Sequence, residues 1–401
     1  MNTIAVYTIT SGLHDEAAVS GISDSFLSAV FPEGGYDCPG QDFSSFGTHA
    51  LDLVYIRTGG AEGIFKSLLP GMLRSGATKI WLLTSGLSNS LAASIEILSF
   101  LQQQGIPGEI LHGREEALAA RIGLLARAAG ARAFLSGSRI GLVGRPSDWL
   151  IASEADRAAV GRRLSAGFVD VPMQELIDLA ESFPDEAVPD DLPMKRDIRA
   201  SFPGAVRIFR ALEAVRDRYG LSALTVRCFD LLTSVGNTGC VALSRLNALG
   251  IPASCEGDVP ALMTMMIARA LTGCTGFQAN PSRIDTETGE ILFAHCTIPM
   301  DIPSSVQYDT HFESGIGVGI HGEFPEGPVT VFKVSGDLGR SFIAEGELLR
   351  TQYGDNLCRT QIVLRLSPTD ARYFLTDPIG NHHIVIPGRH AALLREFMAL
   401  L

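Results

Sequence analysis

Three side chains that can bind a metal or transfer a proton stand where a short apolar run gives way to a loop. They are Glu256, Asn280 and His295. If the three runs form neighbouring parallel strands, their carboxyl ends meet at one sheet edge and these side chains converge on one crevice. A carboxylate, an amide oxygen and an imidazole suit a hard divalent cation such as Mn²⁺ or Mg²⁺ better than a thiolate-preferring metal. The pattern therefore predicts a metal-assisted site.

A second candidate imidazole lies in the segment Gly380–His383, ahead of another apolar run. Directly after Glu256, Asp258 and Gly273 bound a predicted helix over Ala261–Leu271. Structural roles stay open for these residue types. A carboxylate ahead of a helix stabilises its N-terminus, an Asn before Pro forms turns, and a His at a strand end serves as a hydrogen-bonded structural group.

Short apolar runs alternate with helical patterns through the first 155 residues, which predicts a parallel sheet covered by helices. Several of these runs end in polar or glycine-containing loops, where open α/β sheets bind ligands. Arg57, Thr58 and Gly59 in one such loop, and Trp149 in another, are therefore candidate ligand contacts. The predicted strands are Ile4–Thr10, Leu51–Arg57, Lys79–Thr84, Gly108–Leu111 and Arg139–Val143.

The pattern changes twice along the rest of the chain. It is helical from about Ser153 to Tyr219, interrupted by the acidic, proline-bearing segment Phe183–Pro193. About the last hundred residues show the alternation and turns of antiparallel strands before a closing helix, Ala391–Leu401. We predict an α/β fold of three domains: two α/β domains over residues 1–155 and 156–275, and a β-rich domain over residues 276–401.

The composition argues against several classes of partner. Asp and Glu outnumber Lys and Arg by 44 to 32, the net charge is −12, and no basic run is present, so we expect no nucleic-acid partner. The sequence contains no apolar stretch of about 18 residues, so we predict no membrane span. Seven scattered cysteines without a CxxC pair, and a first segment that reads as a strand, predict a cytoplasmic protein with reduced thiols.

The run CEGDVPALMTMMIARALTGCTGFQAN resembles the metal-site segment of the L-fucose isomerase family, and Gly380-Asn381-His382 resembles that family's third metal-ligand segment. The resemblance is closest to the short, about 400-residue branch of the L-fucose/L-arabinose isomerase superfamily. The pieces TSVGNTGC, ANPSRID, AHCTIP, HFESG and GNHH look like features shared with that branch.

The resemblance implies a metal-dependent aldose–ketose isomerase that moves a proton between C1 and C2 of an open-chain sugar through a cis-enediol(ate). Glu256 would be the base, and Asn280 would be the second catalytic residue. The metal ligands would be Glu256, Asn280 and His382. That metal would be Mn²⁺, or alternatively Mg²⁺ or Co²⁺. The expected substrate contacts are His295, Arg57, Thr58, Gly59, Trp149 and Asn381.

The same resemblance implies two Rossmann-like domains, a C-terminal barrel-like domain, and a homo-oligomer, trimer or hexamer, with pockets between subunits. One residue departs from the family pattern, because Asn280 stands where the longer L-fucose isomerases have Asp. Since an amide cannot act as a base, either Glu256 works alone with water or another side chain, or Asp258 or Asp285 substitutes. A non-catalytic sugar-binding or regulatory protein, and an isomerase or epimerase of a sulfo or acid sugar, remain alternatives.

Overall fold

The computed structural model describes residues 3–401, which divide into two compact units. The N-terminal unit extends to Ala133, and the C-terminal unit covers Phe134–Ala399, with Leu400 assigned to the first and Leu401 to the second. The division into three domains predicted from the sequence remains a prediction.

The N-terminal unit is built on a five-stranded parallel sheet with the strand order β2-β1-β3-β4-β5. Its central strands are buried on both faces, as the continuous apolar runs of β1 and β3 require. The elements are β1 Ile4–Ile9, α1 Glu16–Val30, β2 Tyr36–Gly40, β3 Leu51–Ile56, α2 Glu62–Arg74, β4 Ile80–Leu83, α3 Ser90–Gln103, β5 Gly108–Leu111 and α4 Glu115–Leu135.

The C-terminal unit begins with a four-stranded parallel sheet of order β7-β6-β8-β9. Asp258 caps α10 by accepting a hydrogen bond from the Ala261 backbone, and Gly273 ends the helix in the left-handed conformation, as predicted. The elements are β6 Arg139–Val143, α5 Arg157–Leu164, β7 Gly167–Val171, α6 Met173–Ser182, α7 Phe202–Tyr219, β8 Ala223–Val226, α8 Asp230–Ser234, α9 Cys240–Ala248, β9 Ala253–Ser254 and α10 Val259–Thr272.

A closed, six-stranded antiparallel barrel of order β10-β11-β16-β15-β14-β17 completes this unit. A separate antiparallel pair, β12 and β13, carries the loop 310–318 between its strands. The elements are β10 Phe277–Ile284, β11 Glu290–His295, β12 Val306–Asp309, β13 Gly319–Gly322, β14 Gly327–Val334, β15 Ser341–Gln352, β16 Thr360–Arg365, α11 Pro368–Thr376, β17 His383–Pro387 and α12 Ala391–Met398.

The predicted fold class is confirmed: two parallel sheets precede a C-terminal β-barrel. The predicted parallel arrangement of the site strands is wrong. β9 belongs to the parallel sheet, whereas β10 and β11 pair antiparallel in the barrel. Two edge strands, β2 and β7, were not predicted. β2 contains Pro39, which an edge strand tolerates and which hides the strand pattern.

Among the described residues, no helix combines the length and the apolar character needed to cross a membrane.

Gly346 on β15 tests the barrel closure. A Cβ at this position would overlap the Arg365 carbonyl oxygen on β16. We expect Gly346→Ala to lower the free energy of unfolding by about 1–3 kcal/mol in urea titrations, because overpacking displaces the strand. Gly161→Ala is the control, since its Cβ would meet only ordinary contacts inside α5 and should be neutral or stabilising. Equal stability of Gly346→Ala and wild type would contradict this packing.

Candidate functional site

Glu256 is held in a strained backbone conformation at the end of the parallel sheet. Its φ is +65°, in the left-handed region that non-glycine residues rarely adopt. The Glu256 carbonyl oxygen accepts a hydrogen bond from the Ser147 backbone, and the Gly257 backbone donates to the Val226 carbonyl. Strain of this kind costs on the order of 1–3 kcal/mol and persists where the surroundings impose it. The loop after β6 and the end of β8 therefore hold the backbone at Glu256 in place.

The Glu256 carboxylate lies between two histidines and a tryptophan. Its Oε1 is 3.3 Å from His382 Nε2 and 3.7 Å from His295 Nε2. Its Oε2 accepts a hydrogen bond of 2.6 Å from Trp149 Nε1. The whole of Glu256 is 8% exposed, His295 is 4% exposed and His382 is fully buried. The structure thus brings together side chains from the parallel sheet, the loop after β6 and the barrel.

A buried ion pair orients His382 from behind. The Nδ1 atom of His382 lies 2.8 Å from Asp258 Oδ2, and Asp258 Oδ1 lies 3.6 Å from Lys333 Nζ. Asp258 and Lys333 are 0% and 1% exposed. A carboxylate that accepts the Nδ1 proton leaves Nε2 to face Glu256, and such outer partners commonly fix metal-binding histidines. Asp258, read from the sequence as a helix cap, therefore also orients His382.

Asn280 faces the same cavity as Glu256 and His295 from β10. Its Oδ1 accepts a hydrogen bond of 3.1 Å from Asn381 Nδ2. Asn381 immediately precedes His382, so this contact ties two expected site residues together. Asp285, the proposed substitute acid, lies elsewhere, in the exposed turn between β10 and β11. Its carboxylate accepts backbone hydrogen bonds from Glu287 and Thr288.

The electrostatics of the site favour a positive charge beside Glu256. Burial raises the pKa of Glu256, but the charge of His382 and contacts with both histidines outweigh burial and lower that pKa overall. Burial lowers the pKa of His382, and the carboxylates of Glu256 and Asp258 overcome it and raise the pKa to about 9. Burial lowers the pKa of His295. A bound cation would meet the same demand for positive charge.

The donor set fits a divalent cation. His382 Nε2 is buried and has no hydrogen-bond partner among the described residues, although it faces Glu256. Ligand atoms of Cys255, Glu256 and His295 lie within 4.8 Å of one another. Because buried polar atoms are normally paired, an orphaned imidazole nitrogen aimed at a carboxylate is the arrangement expected of a ligand pair. The expected metal roles of Glu256, Asn280 and His382 remain predictions.

Five of the seven cysteines line the cavity beside Glu256: Cys228, Cys240, Cys255, Cys296 and Cys358. The Sγ atoms of Cys228 and Cys255 are 2.8 Å apart. The hydrogen bond with Cys228 and burial raise the pKa of Cys255 well above its ordinary value. A raised pKa disfavours the reactive thiolate, which agrees with the interpretation of Cys255 as a filler.

The remaining predicted contacts divide between the two units. Trp149 contacts Glu256 directly and is about half exposed. Arg57, Thr58 and Gly59 belong to the N-terminal unit, and their role in substrate binding remains a prediction. Arg57 is buried there and donates hydrogen bonds to four side chains: Thr10, Glu16, Ser20 and Ser23.

Lys333, His311 and Glu313 were not singled out as site residues from the sequence. Lys333 had a usable signal, because a lysine inside the apolar strand sequence VTVFKV requires a buried partner. His311 and Glu313 belong to the HFESG segment and line the cavity with Glu256.

Part of the chain is similar to two sugar isomerases. Over 174 residues it is 28% identical to the sulfoquinovose isomerases of Priestia aryabhattai and Priestia megaterium (strain ATCC 12872 / QMB1551). Both relatives are isomerases. The similar stretch covers 41% of this chain and only 39% of each relative's length. No family model matches the chain. The resemblance to a sugar isomerase is thus supported in general terms, without reference to one branch.

Asp258 and Lys333 allow a test of the ion pair behind His382. We expect Asp258→Ala to lower the free energy of unfolding by roughly 3–5 kcal/mol, because it leaves the Lys333 ammonium buried and unpaired and removes the α10 cap. Adding Lys333→Met to this variant should restore part of the loss. The measurement is urea unfolding followed by circular dichroism. If the double variant were less stable than Asp258→Ala, the pairing would be wrong.

Proposed function

We propose that the protein is an aldose–ketose isomerase that depends on a divalent metal and acts on a modified sugar. The observation that carries the proposal is the meeting of Glu256 Oε1 and His382 Nε2 at 3.3 Å in a buried, asparagine-lined site. The similarity to sulfoquinovose isomerases supports both the reaction class and a substituted sugar as substrate. Assembly into a homo-oligomer and a cytoplasmic location stay predictions.

Glu256 would carry the carbon-bound proton. A carboxylate within reach of C1 and C2 takes the C2 proton of the aldose and returns it to C1 on the same face. Trp149 donates to Oε2 and so holds the carboxylate in one orientation. Because Glu256, His295 and His382 are buried, fixed donors act strongly on developing charge.

Glu256, His382 and Asn280 would hold the cation, with His295 beside them. When bound, a divalent cation supplies electrostatic stabilisation of the negative charge that develops on O1 and O2 of the sugar. Asp258 and Lys333 keep His382 oriented for this role. Asn280 brings one charge fewer than an aspartate, and hard-cation affinity follows the charge of the ligands, so we expect weak metal binding.

A second function is favoured by Asn280 itself. Since an amide cannot accept a proton, the site could bind a sugar without converting it. A sugar-binding protein would gain thermal stability from the ligand and form no ketose.

The test is sugar turnover with and without Mn²⁺. Purified protein is incubated with sulfoquinovose and with unsubstituted aldoses, and ketose formation is followed by NMR. We expect turnover that stops after chelation and returns with Mn²⁺. We also expect Glu256→Gln to abolish turnover while the protein remains folded. Glu287→Gln, an exposed carboxylate in the β10–β11 turn, is the matched control. Turnover unaffected by exhaustive chelation, or normal activity of Glu256→Gln, would overturn the proposal.

A further inference from the structure

An aldose–ketose conversion moves two protons. One moves between C2 and C1, and the other moves between the hydroxyl oxygens O2 and O1. Glu256 accounts for the first, and the acid that would account for the second is missing at Asn280. The two substitutes considered from the sequence do not serve: Asp258 is enclosed by Ala261, His382 and Lys333, and Asp285 lies in a surface turn.

Glu313 is a second carboxylate on the wall of the Glu256 cavity. It lies in the loop 310–318, and it faces the same space as Glu256, Asn280 and His295. Among the described residues Glu313 has no hydrogen bond and no ion pair, and the residue is exposed. A carboxylate that lines a cavity without a structural partner is available to a ligand.

The loop that carries Glu313 is anchored at both ends. Arg359 donates to the Thr310 carbonyl at 2.7 Å and to its hydroxyl at 3.1 Å. At the other end the Thr238 hydroxyl donates to the Val318 carbonyl at 2.7 Å. Gly317, with φ of +63°, packs so closely on Thr238 that a Cβ would lie 2.8 Å from its methyl group. The fold therefore fixes both ends of the short loop that carries Glu313.

Aromatic contacts connect this loop to the Glu256 side of the cavity. The His311 ring meets Phe229 edge-on at 5.6 Å, and Phe229 meets Trp149 edge-on at 4.8 Å. Burial and the negative charge of Glu256 raise the pKa of Glu313. Both carboxylates line the same cavity, and the raised pKa favours the protonated form of Glu313, which can give its proton to a ligand there.

We propose that Glu313 is the second acid–base residue and moves the hydroxyl proton while Glu256 moves the carbon proton. This inference rests on the proposed isomerase function. Glu256 takes the proton from C2, the C–H electron pair forms the C1–C2 double bond, and the carboxylic acid of Glu313 protonates O1. The Glu313 carboxylate then takes the O2 proton as the C2 carbonyl forms, and Glu256 returns its proton to C1. Both residues end as they began, and no co-reactant is consumed.

The test separates the two proton transfers. A sugar that wild type converts is incubated in D₂O with the Mn²⁺-loaded protein, and NMR records both ketose formation and loss of the aldose C2 proton signal. We expect Glu313→Gln to reduce ketose formation about 10²-fold or more while C2 exchange continues. Glu256→Gln should show neither ketose formation nor exchange of the C2 proton. Glu326→Gln, an exposed carboxylate outside the cavity, should match wild type. Unchanged thermal unfolding temperatures show that each variant is folded.

Three results would overturn the assignment. Normal ketose formation by Glu313→Gln, with a loss in His311→Gln, would assign the transfer to His311. Normal activity in both variants would leave the second proton to water. If Glu313→Gln lost both C2 exchange and ketose formation, Glu313 would act in the transfer of the carbon-bound proton. If wild type converts no sugar while binding one, the proposed function fails first and the role of Glu313 fails with it.

Discussion

The approach of the Glu256 carboxylate to the buried His382 imidazole is the constraint on which the rest of the site depends. Burying a carboxylate costs free energy of desolvation unless positive charge or hydrogen-bond donors face it. Here two histidines and the Trp149 indole surround it, and within residues 3–401 the His382 Nε2 atom has no hydrogen-bond partner. The histidines and the indole therefore compensate the negative charge of the Glu256 carboxylate.

The surrounding structure imposes this approach on side chains that come from different elements. The Glu256 backbone is held by hydrogen bonds on the parallel-sheet side, and its carboxylate lies near His295 and His382 on the barrel side. Asp258 links the start of α10 to His382 on the barrel side, and Lys333 supplies the opposite charge. A buried ion pair is destabilising when one partner is lost. The Asp258–Lys333 pair therefore stabilises the protein only while α10 and the barrel strand that carries Lys333 keep their relative positions.

The sequence was informative where chemistry and local structure coincide. Glu256 before a capped helix, and His382 before an apolar strand, could be found because the cap, the run and the reactive side chain are adjacent in the chain. The arrangement of strands could not be found in this way. Alternating apolar runs look alike in parallel and antiparallel sheets, so the closed barrel and the pairing of β10 with β11 depend on contacts distant in sequence. The Asp258 partner of Lys333 and the cavity that Glu313 shares with Glu256 could not be found for the same reason, since these residues lie far apart along the chain.

The most direct test of the central claim is a crystal structure of the protein with Mn²⁺, in which anomalous scattering locates the cation. We expect one strong peak within ligand distance of Glu256 Oε1 and His382 Nε2. We also expect His382→Gln to lose this peak, with the surrounding fold unchanged. A fully occupied cation elsewhere, or an undisturbed contact between Glu256 and His382 at saturating Mn²⁺, would contradict the claim.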